Sequence, residues 1–219
     1  AFLHILLVTG LLAALAAAVY PKIKDRKAAL VPDDRLTLRT FFELFVGTAY
    51  SMMKDIMGPK AARFFLPLIG TCAFLILFSN ALGLVPGFLP PTQSLNVTFG
   101  CAIVIFFATH VFGVKEHGLA YFKHFFGPII AWYALPLMVL MLVVETISHI
   151  VRPISLGVRL MANMFADHMV LGVFFGLVPI LVPVPVLLLG SLVVVVQALV
   201  FCILSTVYIA MAIEHSEDH

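Results

Sequence analysis

Charged residues are scarce in this 219-residue sequence: Asp, Glu, Lys and Arg make up 11% of it, where a soluble domain carries about 25%. So little charge cannot cover a water-facing surface, which excludes a soluble enzyme and a disordered chain. A net charge of +2 also leaves nothing to grip a polyanion, so nucleic acid is not an expected partner. Only three cysteines occur, Cys72, Cys101 and Cys202, far apart in apolar runs and without disulfide or metal-ligand spacing. They read as small core residues. Neither a glycine-rich phosphate loop nor an HExxH pattern is present, so no nucleotide, cofactor or zinc site is expected on this chain.

What the sequence does have is apolar length. Residues of apolar type make up 63%, and the mean hydropathy is +1.14. A bilayer core about 30 Å thick needs about 20 apolar residues at about 1.5 Å rise each. Residues 2–20 meet this. From Phe64 to Val114 there is no Asp, Glu, Lys or Arg, and Pro86, Gly87, Pro90 and Pro91 divide that run into spans near 64–85 and 97–114. Residues 129–178 and 186–212 are again apolar and helical in character, with Pro179, Pro183 and Pro185 at the turn between them. The expectation is an all-α integral membrane protein forming one membrane domain over 1–219, with about five membrane helices.

Nine of the 13 Lys and Arg fall between Lys22 and Arg63, and the positive-inside rule therefore places that loop in the cytoplasm. Ala1 and the 86–96 loop then lie outside, the 115–128 loop inside, and the acidic tail from Glu214 inside. A basic region follows residues 2–20 rather than preceding them, which favours a retained helix over a signal peptide. Within the basic loop, Leu36, Phe41, Leu44, Phe45, Thr48, Met52, Ile56 and Met57 recur at helical spacing. That predicts an amphipathic helix over 36–58, lying on the membrane surface or folded back as a re-entrant hairpin. Residues 129–178 would make one helix of roughly 75 Å. Either it breaks near Arg152–Pro153, or it is strongly tilted.

Ionisable groups in hydrocarbon cost about 2.5–3.5 kcal/mol each even on lenient scales, so they line cavities or pathways. From Gly127 to Ile213 there are four: Glu145, Arg152, Arg159 and Asp167. The first three are seven apart, and Ser148, Ser155, Asn163 and Asp167 fall close to the same helical stripe. His168 projects from another side. Gln197, on the following helix, comes level with the Arg159 turn if the two helices form an antiparallel hairpin over 129–212. An ion pair of Arg159 with Asp167 or Glu145, merely joining helices, is the plain structural alternative. His110, His117 and His124 are also seven apart, but no carboxylate pattern accompanies them, and they read as membrane-edge residues rather than a metal site.

The run Ser155-Leu-Gly-Val-Arg-Leu160 with Ala162-Asn-Met164 and His168, then Val196-Gln-Ala-Leu-Val-Phe201 and Val207-Tyr-Ile-Ala-Met-Ala212, resembles subunit a of the F-type ATP synthases. Glu145-Thr-Ile-Ser148, Arg152-Pro153, Asn80-Ala-Leu-Gly-Leu-Val-Pro86 and Asn96-Val-Thr98 extend the likeness across most of 64–214. The resemblance implies two long tilted helices packed against a rotating ring of c subunits, with subunit b of the peripheral stalk and the lipid bilayer as further partners. It implies that Arg159 is the essential stator arginine between two half-channels. Asn163, His168 and Gln197 then match the half-channel open to the external side, and Glu145 and Ser148 the cytoplasmic one. Such a chain belongs in an energy-transducing membrane, a bacterial plasma membrane or, alternatively, an organelle inner membrane. It conducts protons rather than sodium, since His168 and Asp167 suit proton relay and no dense cluster of oxygen ligands occurs.

One position departs from the family pattern. An ionisable side chain is common seven residues before the glutamine, and here that residue is Gly190, while Asp167 stands where a small residue is usual. Asp167 is expected to supply the missing group from across the helix pair. Two other functions compete: a stand-alone secondary transporter binding an anion at Arg159, and an intramembrane enzyme using Asp167 and Glu145. The first should show internal repeats, which are not evident. The second lacks a catalytic motif.

Overall fold

The computed structural model of the chain describes residues 2–24, 38–85, 87–117, 135–177 and 183–214. Most of the basic loop, the 118–134 stretch with Lys123 and His124, the 178–182 turn and the acidic tail 215–219 lie outside the described residues. Every long element is helical: α1 (Phe2–Lys24), α2 (Leu38–Leu82), α3 (Leu95–His117), α4 (Leu135–Leu177) and α5 (Pro183–Glu214), with a short 3-10 turn at Pro91–Gln93 before α3. Four of them, α2 to α5, are long and apolar enough to cross a membrane. In α1 the apolar stretch is the shorter Leu3–Ala18.

Hydroxyl side chains fit these helices because each can bond its own backbone. Thr9, Thr48, Thr71, Thr109, Thr146 and Thr206 each donate to the carbonyl four residues earlier. A threonine thereby hides its polar group without needing water.

Gly58 interrupts α2, with φ 79° and ψ 166°. This region of backbone space is open to glycine almost alone. Pro59 follows at the first position of the next helical arm, where its missing N–H costs nothing. The arms 38–57 and 59–82 fold back on each other: Phe42 and Phe45 both stack on Phe74, at 5.0 and 4.5 Å between ring centroids, and Arg63 Nε donates to the Tyr50 hydroxyl at 3.2 Å. Of the two placements open for 36–58, the helix begins at Leu38 and takes the hairpin form. One face of this arm is buried, Phe45, Ala49 and Met53 packing with Ala62, Phe65, Ile69, Ala73 and Ile76, while Phe41 and Leu44 of the predicted stripe stay exposed.

That hairpin is the inner half of the core. Cys101, Ala102 and Ile105 of α3, Leu156, Leu160 and Met164 of α4, and Val194, Ala198, Phe201, Cys202 and Ile209 of α5 complete it. Small residues (Ala49, Ala62, Ala73, Ala102, Ala198) let helices approach closely where lipid supplies no hydrophobic drive. Cys72 joins the rim of this core, facing the Cys101 thiol. All three cysteines are free, and Cys101 and Cys202 are fully buried as expected. His4 meets Phe88 edge-on at 6.1 Å, so the start of α1 and the 83–94 connection lie at one end of the molecule.

α4 runs unbroken through Arg152 and Pro153. At 43 residues it is about 65 Å long, so the two-span alternative is not adopted. Proline brings no N–H to the helical ladder, yet the helix continues past Pro153 to Leu177.

Replacing Gly58 by Ala should cost about 1–3 kcal/mol through backbone strain, lowering the thermal or SDS unfolding midpoint in detergent. Gly47→Ala, at a helical site where a new methyl meets nothing within 4 Å, should leave the midpoint level or raise it.

Candidate functional site

α4 carries its polar residues on the border between what the chain buries and what it leaves open. Leu156, Leu160, Met164 and Leu171 face the core. Glu145, Ser148, Arg152, Asn163, Asp167 and His168 are half-buried, and Arg159 is exposed. In all, 6% of the apolar window of α4 is buried inside the chain, against 28–33% for the other three candidate spans. Val139, Leu140, Val143, Ile147, Val151 and Ile154 are among the residues left uncovered. This surface needs lipid or another protein.

Arg159 makes no hydrogen bond or ion pair among the described residues. The plain alternative, an ion pair to Asp167 or Glu145, is therefore not formed; Glu145 instead faces His149, at 3.3 Å between Oε1 and Nδ1. Ser148, Asn163, Asp167, His168 and Gln197 likewise make no side-chain hydrogen bond among the described residues. Leaving amides and carboxylates unpaired in hydrocarbon costs several kcal/mol each. A row of them on one helix indicates that water or a partner satisfies them.

One glycine and a buried ladder mark the register of α4 on α5, and a second glycine seats α4 on α3. Gly190 is buried, and a methyl group built on it would lie 3.1 Å from Asp167 Oδ2 and 3.2 Å from Leu84 Cδ2. The Asp167 carboxylate thus occupies the space that a side chain at 190 would fill. Seven residues back from Asp167 is Leu160, and seven on from Gly190 is Gln197, so the antiparallel register carries Gln197 to the Arg159 turn. Leu156, Leu160 and Met164 share the core with Val194, Ala198 and Phe201 in agreement with this pairing. On the α3 side, a methyl group on Gly157 would come within 2.9 Å of Phe99 Cδ2. α4 seats on α3 there because residue 157 has no side chain.

His168 points away from this seam, as its helical angle requires. It lines an open cavity of about 290 Å³ with Gly83, Gly87, Leu171, Gly172 and Phe175, at the same end as His4 and Phe88. Asp167 and His168 therefore stand on two flanks of α4: one against Gly190, one toward a space large enough for several waters.

Two features escaped the sequence reading. One is His149, four residues after Glu145 and so on its face, a spacing that was available. The other is a buried polar pair in which Thr92 Oγ1 donates to Asn80 Oδ1 at 2.5 Å, leaving Asn80 Nδ2 and the adjacent Ser79 Oγ without a partner. Its only signal was an Asn inside an uncharged run. Of the seven-spaced histidines, His110 pairs with His149 at 5.3 Å, and His124 lies outside the described residues. No group of three metal-ligand side chains occurs among the described residues.

Comparison with known proteins covers almost the whole chain. The family described as ATP synthase A chain matches residues 2–210. The chain is 46% identical to ATP synthase subunit a of Sorangium cellulosum over 214 residues, 98% of this chain and 82% of that one. It is 45% identical to ATP synthase subunit a 2 of Syntrophotalea carbinolica, over 89% of this chain and 79% of that one. With subunit a of Citrifermentans bemidjiense the identity is 48%, over 82% and 76% of the two chains.

Gly157→Leu should push α4 off Phe99 and lower the unfolding midpoint, at a cost of about 1–3 kcal/mol. Phe99→Ala in the same chain should restore part of the loss. A double-mutant cycle that shows no coupling would contradict the seating contact.

Proposed function

Since the chain belongs to the ATP synthase subunit a family, we propose that it is the stator of the proton motor, with Arg159 separating two aqueous half-channels against a rotating ring of c subunits. The observation that carries this is Arg159 itself: an exposed guanidinium with no partner among the described residues, on the least buried of the four candidate membrane spans. None of the described residues supplies the opposite charge, and a carboxylate on a passing ring subunit fits.

The chemistry follows from what a guanidinium cannot do. It does not release its proton at any working pH, so it cannot itself pass protons along. A ring carboxyl is neutral while it faces lipid. Beside Arg159 the anionic form is favoured, because a close opposite charge lowers a carboxyl pKa by about 1–3 units. The proton leaves into one half-channel, and the next carboxylate is reprotonated from the other. Lysine is a poor substitute, since it sheds its proton readily when buried.

On this reading the cavity at His168 belongs to the external half-channel, with Asn163, Asp167 and Gln197 leading from it to Arg159. Asp167 stands in for the side chain that Gly190 lacks. Glu145 and Ser148 serve the cytoplasmic half-channel. The N-terminus lies outside and the C-terminus in the cytoplasm. The apolar stretch Met138–Gly176, 39 residues long, spans about 58 Å and leans about 60° to remain within a 30 Å core. Such a lean lays α4 along the ring. Subunit b and the lipid of a bacterial plasma membrane cover other faces. The anion transporter finds no support: the family match runs along nearly the whole chain.

In inverted membrane vesicles, Arg159→Ala should abolish ATP-driven proton pumping while ATP hydrolysis by the detached soluble sector persists; pumping that survives overturns the assignment. Asp167→Asn should strongly reduce proton-driven ATP synthesis, and a near-normal rate with that neutral side chain removes its role in the path.

A further inference from the structure

Three helices bring titratable groups together around His149, at the end of α4 away from the cavity at His168. His149 Nδ1 lies 2.9 Å from the Glu145 backbone oxygen and 3.3 Å from Glu145 Oε1. On α3, His110 Nδ1 lies 2.9 Å from the Phe106 backbone oxygen, and Phe106 stacks on its ring at 4.1 Å. The two imidazoles meet at 5.3 Å and 72°. Both rings line a cavity of about 20 Å³, together with Thr109, Arg152, Tyr208 and five apolar residues. It is large enough for one water, with several polar neighbours to hold it.

The backbone contacts fix the tautomers. A carbonyl only accepts, so in both rings Nδ1 carries a hydrogen and donates it to the carbonyl four residues back. Nε2 is left as the nitrogen that takes up or gives away a proton. In His149 the Nδ1 hydrogen also faces the Glu145 carboxylate, so its two nitrogens connect different neighbours.

We propose that His110 and His149 form a proton relay that delivers protons to Glu145 and takes them from it; this rests on the reading of the chain as the proton-conducting stator. A proton reaching His149 Nε2, through the water and His110, makes an imidazolium. The Nδ1 proton then passes to Glu145 Oε1. One proton enters at Nε2 and one leaves from Nδ1, so the ring is neutral with its hydrogen on Nε2; a tautomer exchange then restores Nδ1–H, the form the Glu145 carbonyl selects, before the next transfer, and synthesis runs the same steps backward. The charged and titratable groups facing the pair are Glu145 and Arg152 on α4, Tyr208 on α5, whose ring lies 5.8 Å from the Arg152 guanidinium carbon, and, further along α3, Lys115. Glu145 is the acceptor, and the two histidines extend its reach across the α3–α4 contact.

The test uses the assembled enzyme in inverted vesicles, whose outer face is the cytoplasmic one. ATP-driven pumping is followed with a ΔpH-sensitive dye while the outer pH is stepped from about 5.5 to 8.5, bracketing the ordinary imidazole titration. His149→Gln and His110→Gln, which keep size and polarity but cannot titrate, should each slow pumping at neutral pH at least about tenfold and flatten its pH profile. Wild-type rate and profile in either variant overturn the relay, as does His149→Leu being slow while His149→Gln is normal, since the residue is then structural. The wild-type profile is itself a check needing no variant: a rate constant across this range overturns the proposal. Arg159→Ala run alongside separates the two claims. If it pumps, the stator reading fails; if it is blocked while both Gln variants behave as wild type, only the relay fails.

Discussion

A lone guanidinium on an apolar helix is the constraint on which the rest depends. Arg159 finds no carboxylate within reach among the described residues of its own chain, and an isolated buried charge carries a heavy desolvation cost. The cost is tolerable only if water reaches the group or a partner brings the opposite charge. Both requirements shape α4. Ser148, Asn163, Asp167 and His168 make no side-chain hydrogen bond among the described residues, where water can enter, and the apolar flank stays uncovered, where a partner can sit. On the proposed reading, a carboxylate of the chain paired with Arg159 would neutralise it from within and leave nothing for a ring carboxylate to meet.

The packing around Arg159 is organised by residues that have no side chain. Gly157 lets Phe99 seat against α4 just before the arginine, and Gly190 lets Asp167 lie against α5 just beyond it. α4 is thereby held on both sides close to the group whose position matters most, while its first three turns in the apolar stretch remain loosely covered. The α2 hairpin, turned at Gly58, supplies the rigid inner wall against which α5 packs.

Helix number, the apolar stretches and the polar ribbon were legible in the sequence because hydropathy, charge placement and a period of 3.6 are local signals. Arg159, Asn163 and Asp167 fall on one stripe by arithmetic alone, and the loss at Gly190 pointed across the helix pair to the carboxylate that the structure puts there. The fate of 36–58 was not legible. A surface helix and one arm of a hairpin share the same amphipathic pattern, and the deciding feature is one backbone conformation at Gly58. His149 was hidden for a related reason. On its own helix it is an ordinary neighbour of Glu145; its partner His110 comes from α3, and no pattern along a single strand of sequence shows such a meeting.

The spacing along α4 keeps the two ends of the proposed proton path apart. Glu145 lies 14 residues before Arg159, about 21 Å along the helix, and Asp167 lies eight residues after it, about 12 Å. Between them the outward-facing large apolar residues are Ile147, Ile150, Val151, Ile154, Val158 and Phe165. A proton cannot hop that distance without a chain of water or titratable groups, and the two arginines between them, Arg152 and Arg159, do not give up their protons. Only a carrier that moves past the arginine joins the two ends. Shortening the gap with a titratable side chain on the same face would open a leak, so the apolar residues flanking Arg159 are as necessary to coupling as the arginine itself.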